Sequence, residues 1–303
     1  MFQTLRKLVR FIVSDPRHYQ ILCLACLLTI GVTRLHLDIR PLNAMVSIVT
    51  ALTTQYAFYR LLRLPSFDPR SPFISSLSLT LLLRTSSPWI AATAVFIAIA
   101  SKYVIRSRGK HIFNPTNIGI VAAILLFDNA WVSSGQWGAA TWTVFLLACL
   151  GGLVVNRAGR SDISLGVIMC YAALLFGRAL WLGDPMSIPI HQMQNGALLI
   201  FAFFMISDPK TTPNSRAGRF TFAALIVAFA GWIQFGLFEP NGLLYALAAL
   251  APAVPIIDRL MPGERFEWNK LGVVHVPKQK GARDEKETHP YPVGMHLPEP
   301  AGR

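Results

Sequence analysis

Long apolar stretches alternate with short basic or proline-marked turns through most of the chain. Nine approach the roughly 20 residues with which a helix crosses a hydrocarbon core of about 30 Å. They are Tyr19–Val32, Leu42–Tyr59, Trp89–Val104, Asn117–Phe127, Ala139–Val155, Ile163–Leu182, Ile190–Ile206, Phe220–Phe235 and Gly242–Ile257. A tenth, Ser71–Leu83, is short and rich in serine and is expected to be a broken or re-entrant helix. The first 18 residues are basic, but the apolar run after them has no small-residue cleavage site, so it reads as an uncleaved first span. The pattern predicts an all-α polytopic membrane protein with about ten transmembrane helices.

Composition agrees with that solvent. The 303 residues are 53% hydrophobic and 14% charged, with mean hydropathy +0.46, where a soluble domain carries about 25% charge. Of the 28 Lys and Arg residues, 24 fall in 1–18, 60–70, 102–111, 156–161, 208–219 and 258–303; the others are Arg34, Arg40, Arg84 and Arg178. With ten crossings this is the positive-inside bias, placing both termini in the cytoplasm of a bacterial-type inner membrane. The net charge of +13 then reports topology and attraction to anionic lipid, not nucleic-acid binding. Three regions follow: a basic cytoplasmic N-terminus 1–18, a transmembrane domain 19–257, and a cytoplasmic tail 258–303. The Pro-, Gly-, Lys- and Glu-rich stretch 278–303 of that tail is expected to be largely disordered.

Five crossings per half would put two related halves in opposite orientations, and the sequence contains a matching offset. Ser86-Ser87-Pro88 and Thr211-Thr212-Pro213 lie 125 residues apart, as do Phe113-Asn114-Pro115 and Phe238-Glu239-Pro240. Their sidedness is opposite in the ten-span topology. This predicts two inverted five-helix repeats, about 19–127 and 139–257, with short or broken helices.

The chemistry of such a chain concentrates at interrupted helix ends, where proline at the first turn costs no hydrogen bond and the positive dipole end attracts electron-rich groups. Two such ends fall on the basic side: Asn114-Pro115 with Asn117, and Ser207-Asp208-Pro209 running into Thr211-Thr212-Pro213. Asn114, Asn117, Asp208, Lys210, Thr211 and Thr212 are therefore the candidate ligand-binding residues. For Asn114 and Asp208 plain helix capping is the competing reading. Lys102, Arg106, Arg108, Lys110, His111, Arg216 and Arg219 surround them, either as topology anchors or as part of the site.

These residues carry a resemblance. Lys102-Tyr103-Val104, Gly109-Lys110-His111-Ile112-Phe113-Asn114-Pro115 and Phe204-Met205-Ile206-Ser207-Asp208-Pro209-Lys210-Thr211-Thr212-Pro213 resemble the NqrB/RnfD family. That family comprises the B subunit of the sodium-pumping NADH:quinone oxidoreductase and the D subunit of the Rnf complex. The resemblance implies ten helices in two inverted units, like urea transporters, and flavin-mediated electron transfer coupled to ion movement beside other membrane subunits. Those subunits attach FMN to the Thr of a Ser-Gly-Ala-Thr type motif, whereas this chain reads Ser134-Gly135-Gln136-Trp137-Gly138-Ala139-Ala140-Thr141. The broken pattern argues against covalent FMN at Thr141 and for non-covalent FMN or riboflavin. It also places the chain with a divergent branch outside complete pumps. The alternative is a small polar solute transporter or channel of urea-transporter-like fold with no redox step.

Other chemistry is sparse. Cys23 and Cys26 lie one helical turn apart but lack a polar flank, and read as small hydrophobes. His191 to Asn195 is a polar run at the start of the eighth apolar stretch, equally a cavity lining or an interface. Trp131, Trp137, Trp181 and Trp232 read as an interfacial belt. No metal-ligand spacing occurs, and catalytic residues are not identified. Asp208 and Glu239 are the acidic residues at proline-marked helix ends.

Overall fold

The structure, a computed structural model, describes residues 15–107, 109–132, 141–264 and 266. They are mostly helical. The first half contains α1 (Pro16–Thr33), α2 (Pro41–Leu61), α3 (Arg70–Leu82), β1 (Leu83–Thr85), α4 (Pro88–Val104), β2 (Arg106–Ser107), β3 (Lys110–His111), α5 (Pro115–Leu126) and β4 (Ala130–Val132). The second contains α6 (Thr141–Arg157), α7 (Ser161–Leu182), α8 (Ser187–Met193), α9 (Gly196–Ile200), a π-helical turn (Phe201–Met205), α10 (Arg216–Gly236), α11 (Gly242–Leu250), a 3₁₀ turn (Ala251–Ala253) and α12 (Val254–Leu260). Prolines open α1, α2, α4 and α5, where the missing N–H would have had no helical partner. Side chains cap α1, α5 and α10: Asp15 accepts from Arg17 N–H, Asn114 from Asn117 N–H and Ser215 from Gly218 N–H.

Among the described residues, three helices are long and apolar enough to cross a membrane: Ser161–Leu182, Arg216–Gly236 and Gly242–Leu260. Four apolar helices are shorter: Arg17–Thr33, Pro88–Val104, Pro115–Leu126 and Gly196–Met205. The expected Leu42–Tyr59 span is the 21-residue helix α2, but Thr54, Gln55 and Ser47 are buried in it. Those three polar side chains face protein, while Thr53, Tyr56 and Arg60 of the same helix are exposed.

The largest departure concerns Ile190–Ile206, expected as one span. Its first residues end α8, the chain turns at Gln194 and Asn195, and Asn195 then caps α9 by accepting from Ala197 N–H. The apolar unit that remains is Gly196–Met205. Ten residues at 1.5 Å each reach about 15 Å, half a hydrocarbon core. A second short helix thus joins Ser-rich α3, which the sequence already marks as short.

Packing pairs recur between the halves. In the first, α2 packs on α3 and α4, α1 on α3, and α4 on α5. In the second, α7 packs on the π turn and α10, α6 on α9, and α10 on α11. Each half brings two helix backbones close together through glycine. A Cβ on Gly119 of α5 would lie 2.5 Å from the Ala94 carbonyl of α4, and one on Gly242 of α11 would lie 2.6 Å from the Ala230 carbonyl of α10. The halves meet through α1 with α6 and α5 with α11.

Candidate functional site

Three sequence-distant segments build the site. The β2–β3 hairpin pairs Arg106 with His111 and Ser107 with Lys110, and delivers the chain to Asn114 at the start of α5. The second segment leaves the π turn, whose wider hydrogen-bond ring commonly marks functional positions. There the Ser207 hydroxyl donates to the Phe203 carbonyl at 2.5 Å, and Asp208 follows. The third is α12, which carries Asp258.

Asn114 is engaged at both ends of its amide. Its Oδ1 accepts from the Asn117 N–H at 3.0 Å and its Nδ2 donates to the Met205 carbonyl at 3.0 Å, tying α5 to the end of the π turn. Asn117, 1% exposed, donates through Nδ2 to the Leu244 carbonyl of α11 at 3.1 Å. Its Oδ1 is buried without a hydrogen-bond partner, and so is His111 Nε2. Such orphaned atoms cost about 1–3 kcal/mol each unless something else supplies a partner.

Thr211 and Thr212, expected to face a ligand, turn inward. Both hydroxyls donate to the Asp208 carbonyl, at 3.3 and 3.0 Å, and lock the turn. The Asp208 carboxylate instead accepts the Lys210 N–H at 3.0 Å through Oδ1, and its Oδ2 lies 3.6 Å from His111 Nε2. That second approach is electrostatic, being too long for a hydrogen bond. Burial pushes the Asp208 carboxyl upward, but the His111 imidazole, the Lys210 N–H and the more distant Lys102 ammonium hold it below its ordinary value. Lys102 is itself held by Gln55 Oε1 and Ser71 Oγ, each at 2.9 Å.

Beside this cluster lies a cavity of about 270 Å³ whose lining includes Ser107, Lys110, His111, Lys210, Asn214 and Asp258. The Lys110 ammonium donates to Asn214 Oδ1 at 2.5 Å and pairs with Asp258 at 3.3 Å. Asp258 also accepts from the Asn214 N–H and Nδ2, at 2.7 and 3.0 Å. Sequence reasoning passes over Asp258 because it closes the last apolar stretch, and over Asn214 because only a loop surrounds it. Behind the turn, the buried Arg219 guanidinium grips both carboxylate oxygens of Asp162 and donates to the Asn214 carbonyl at 2.6 Å. Arg219 is therefore a turn-holding residue and not only a topology anchor.

Other expected residues lie elsewhere. Glu239 is exposed and outside the cluster. His191 is exposed at the end of α8. Cys23 is buried with its thiol 3.8 Å from the Leu150 carbonyl, whereas Cys26 is exposed, so the pair shares no environment. Trp131, Trp181 and Trp232 are exposed. Arg108, Trp137, the 134–140 stretch, the Thr141 side chain and the 278–303 tail segment lie outside the described residues. Among the described residues no group of three or more His, Cys, Asp or Glu side chains could hold a metal ion.

Comparison with known proteins bears most directly on the second half of the chain. Residues 129–267 match the model of the NQR2, RnfD, RnfE family. The chain is 24% identical over 276 residues to the D subunit of the proton-translocating ferredoxin:NAD(+) oxidoreductase complex of Clostridium ljungdahlii, covering 73% of this chain and 82% of that protein. It is 22% identical over 295 residues to the D subunit of the ion-translocating oxidoreductase complex of Erwinia tasmaniensis, covering 72% and 84%. With the same protein of Stutzerimonas stutzeri it shares 30% over 146 residues, covering 45% and 39%. The family match spans the second of the two motifs, 204–213, and the relatives that the chain resembles along most of its length are named as D subunits.

Proposed function

We propose that this chain is an integral membrane subunit of a flavin-dependent electron-transport system coupled to ion translocation, acting with other membrane subunits. The observation that carries the reading is the His111–Asp208 pair, 3.6 Å apart, with an unpartnered His111 Nε2 lining the cavity. It occurs in a chain whose relatives are named as subunits of ion-translocating oxidoreductase complexes.

A non-covalent flavin fits this chemistry. Asn117 Oδ1 is an acceptor suited to the ring's imide N–H, and His111 Nε2 is available to a ring carbonyl or to the arm of the cofactor. Asp208 and Lys210 complete the contacts, while Asn114, Thr211 and Thr212 position them. Bound flavin supplies one- and two-electron transfer; the protein residues orient it and exclude water. No covalent attachment at Thr141 belongs to this reading.

The architecture proposed is two inverted five-helix units, about 19–127 and 139–257. What supports it is the offset of 125: shifted by that number, α1, α2, α3, α4 and α5 overlap α6, α7, α9 with its π turn, α10 and α11 in turn. The domain sits in a bacterial inner membrane among anionic lipids, with a basic cytoplasmic N-terminus 1–18 and a cytoplasmic tail 258–303. Reporter fusions after Lys110, Arg160, Arg216 and Lys280 should report cytoplasm, and fusions near Gly135, Asp184 and Glu239 the outside. A cytoplasmic signal at Gly135 overturns the inverted arrangement.

The purified protein should show a flavin absorption band, and that band should leave on denaturation. A colourless protein that takes up no added flavin would support the solute-channel alternative. A fluorescent band surviving a denaturing gel and lost in Thr141→Ala would show covalent flavin after all.

A further inference from the structure

The first half keeps polar side chains where the matching positions of the second half are apolar. Asn43 and Ser47 of α2 and Thr80 of α3 line one small cavity together with Asp38 and Arg84. The residues 125 positions later are Ile168, Ala172 and Met205. Polar groups inside a membrane domain are expensive and face partners or water-filled space. Two atoms of this group still want a partner: Asn43 Oδ1 and Thr80 Oγ1 are buried without a hydrogen bond. Thr80 as a whole is 7% exposed and Ser47 is 1% exposed.

The chemistry of the walls selects what would satisfy them. Asn43 Nδ2 donates to the Thr85 carbonyl at 2.8 Å. Turning the amide over would set oxygen against oxygen there, so Asn43 Oδ1 stays an acceptor facing the cavity. The Thr80 hydroxyl can give or take a hydrogen bond. An anion would meet the Asn43 oxygen and the Asp38 carboxylate, and a cation would meet the Arg84 guanidinium, which is 3% exposed. A neutral molecule that both donates and accepts meets neither objection. Volume then fixes its size: the cavity holds about 20 Å³, against the roughly 10–15 Å³ that one water requires. A buried water also needs two to four polar partners, and Asn43, Thr80 and Ser47 supply them.

We infer that one ordered water is bound here, donating to Asn43 Oδ1 and accepting from the Thr80 hydroxyl, as a bridge between α2 and α3. It adds to the direct bonds that tie the start of α2 to the 85–86 segment, from Asn43 Nδ2 to the Thr85 carbonyl and from Arg40 Nη1 to the Ser86 carbonyl at 2.9 Å. The bound water closes this end of the first half where the second half places aliphatic side chains and a methionine. The water site requires no flavin.

A crystal structure of the full-length protein, at a resolution that shows other buried waters, should show a peak within about 3.2 Å of both atoms. A map empty at that point overturns the proposal, whether or not any variant folds. In detergent, the melting-temperature losses of Thr80→Val, Asn43→Leu and the double variant should be non-additive by at least about 2 °C. No hydrogen bond joins the two side chains, and each substitution releases the same water. Thr80→Ser keeps a hydroxyl and should keep the coupling to Asn43. Additive losses overturn the shared water. A melting temperature raised by sodium chloride over choline chloride in the wild type, and not in Asn43→Leu, assigns the site to a cation and overturns the water.

Discussion

The ends of two short helices, α3 and α9 with its π turn, stand 125 residues apart yet are built differently. After α3 the chain enters β1, and Arg84, 3% exposed, turns back to donate to the carbonyls of Thr80, Leu81 and Leu83 at 3.0–3.2 Å. A cation there answers the negative end of the helix dipole, and the adjoining cavity holds about 20 Å³, room for about one water. After the π turn the corresponding residues are Asp208, Pro209 and Lys210, beside a cavity of about 270 Å³. One end closes on itself. The other opens onto a much larger cavity, although buried polar atoms without a hydrogen-bond partner occur at both, Asn43 Oδ1 and Thr80 Oγ1 at the first and His111 Nε2 at the second.

The supports behind the two ends differ as well. The second half holds its turn with the Arg219–Asp162 pair, whereas the positions 125 residues earlier are Ala94 and Leu37, both buried. The first half anchors the entry to α3 with Asp15, Arg17, Asp68 and Arg70, linked at 2.5–2.8 Å; at the entry to α9 the cap Asn195 stands in their place.

The largest effect should come from breaking the Arg219 pair. Asp162→Ala strands a buried guanidinium and should cost about 3–5 kcal/mol, read as a fall in melting temperature in detergent. Importing the first-half pair, as Asp162→Leu with Arg219→Ala, should recover part of that loss. A double variant no better than the single would show that the pair itself stabilises the fold.

Next comes the charge at the open end. Asp208→Asn should insert normally and weaken flavin binding by at least about 1.4 kcal/mol, tenfold. Arg84→Gln, at the closed end, should leave flavin affinity within twofold. An unchanged affinity in Asp208→Asn would reduce Asp208 to a turn former.

The smallest effect is acid sensitivity of the first-half cluster. Burial pushes the Asp68 carboxyl upward, but hydrogen bonds and charge from Arg70 and Arg17 hold it at about 2, below its ordinary 3.8. The folded value is the lower one, so the cluster's stabilisation is present above about pH 4 and is lost as pH falls toward 2. No more than about 2 kcal/mol is at stake, since one pKa unit is worth about 1.4 kcal/mol and the group is partly screened by solvent. Asp68→Asn should flatten this acid limb of the melting curve; an unaltered limb would place the sensitivity elsewhere.

Much of this was legible in one dimension because membrane solvation and helix capping are local demands. An apolar stretch bounded by basic turns must become a helix in lipid, and proline or asparagine at its start marks where it begins. Asn114, Asp208 and their motifs could be singled out on those grounds. The 190–206 stretch shows the limit: its apolar content gave no hint that Asn195 would restart the helix, since a cap and a polar residue inside a span look alike until the chain has turned.

Side-chain direction and partnership required the tertiary structure. Sequence placed Thr211 and Thr212 beside Asp208, but only the folded turn shows their hydroxyls spent on its carbonyl. Nothing in the spacing of Lys110, Asn214 and Asp258, separated by 104 and 44 residues, foretold that one ammonium would join them. Local chemistry determined that helices form, where they start and which faces are basic. Which buried donors find partners, and which are left for a ligand, depends on contacts between distant segments, and those exist only once the helices have packed.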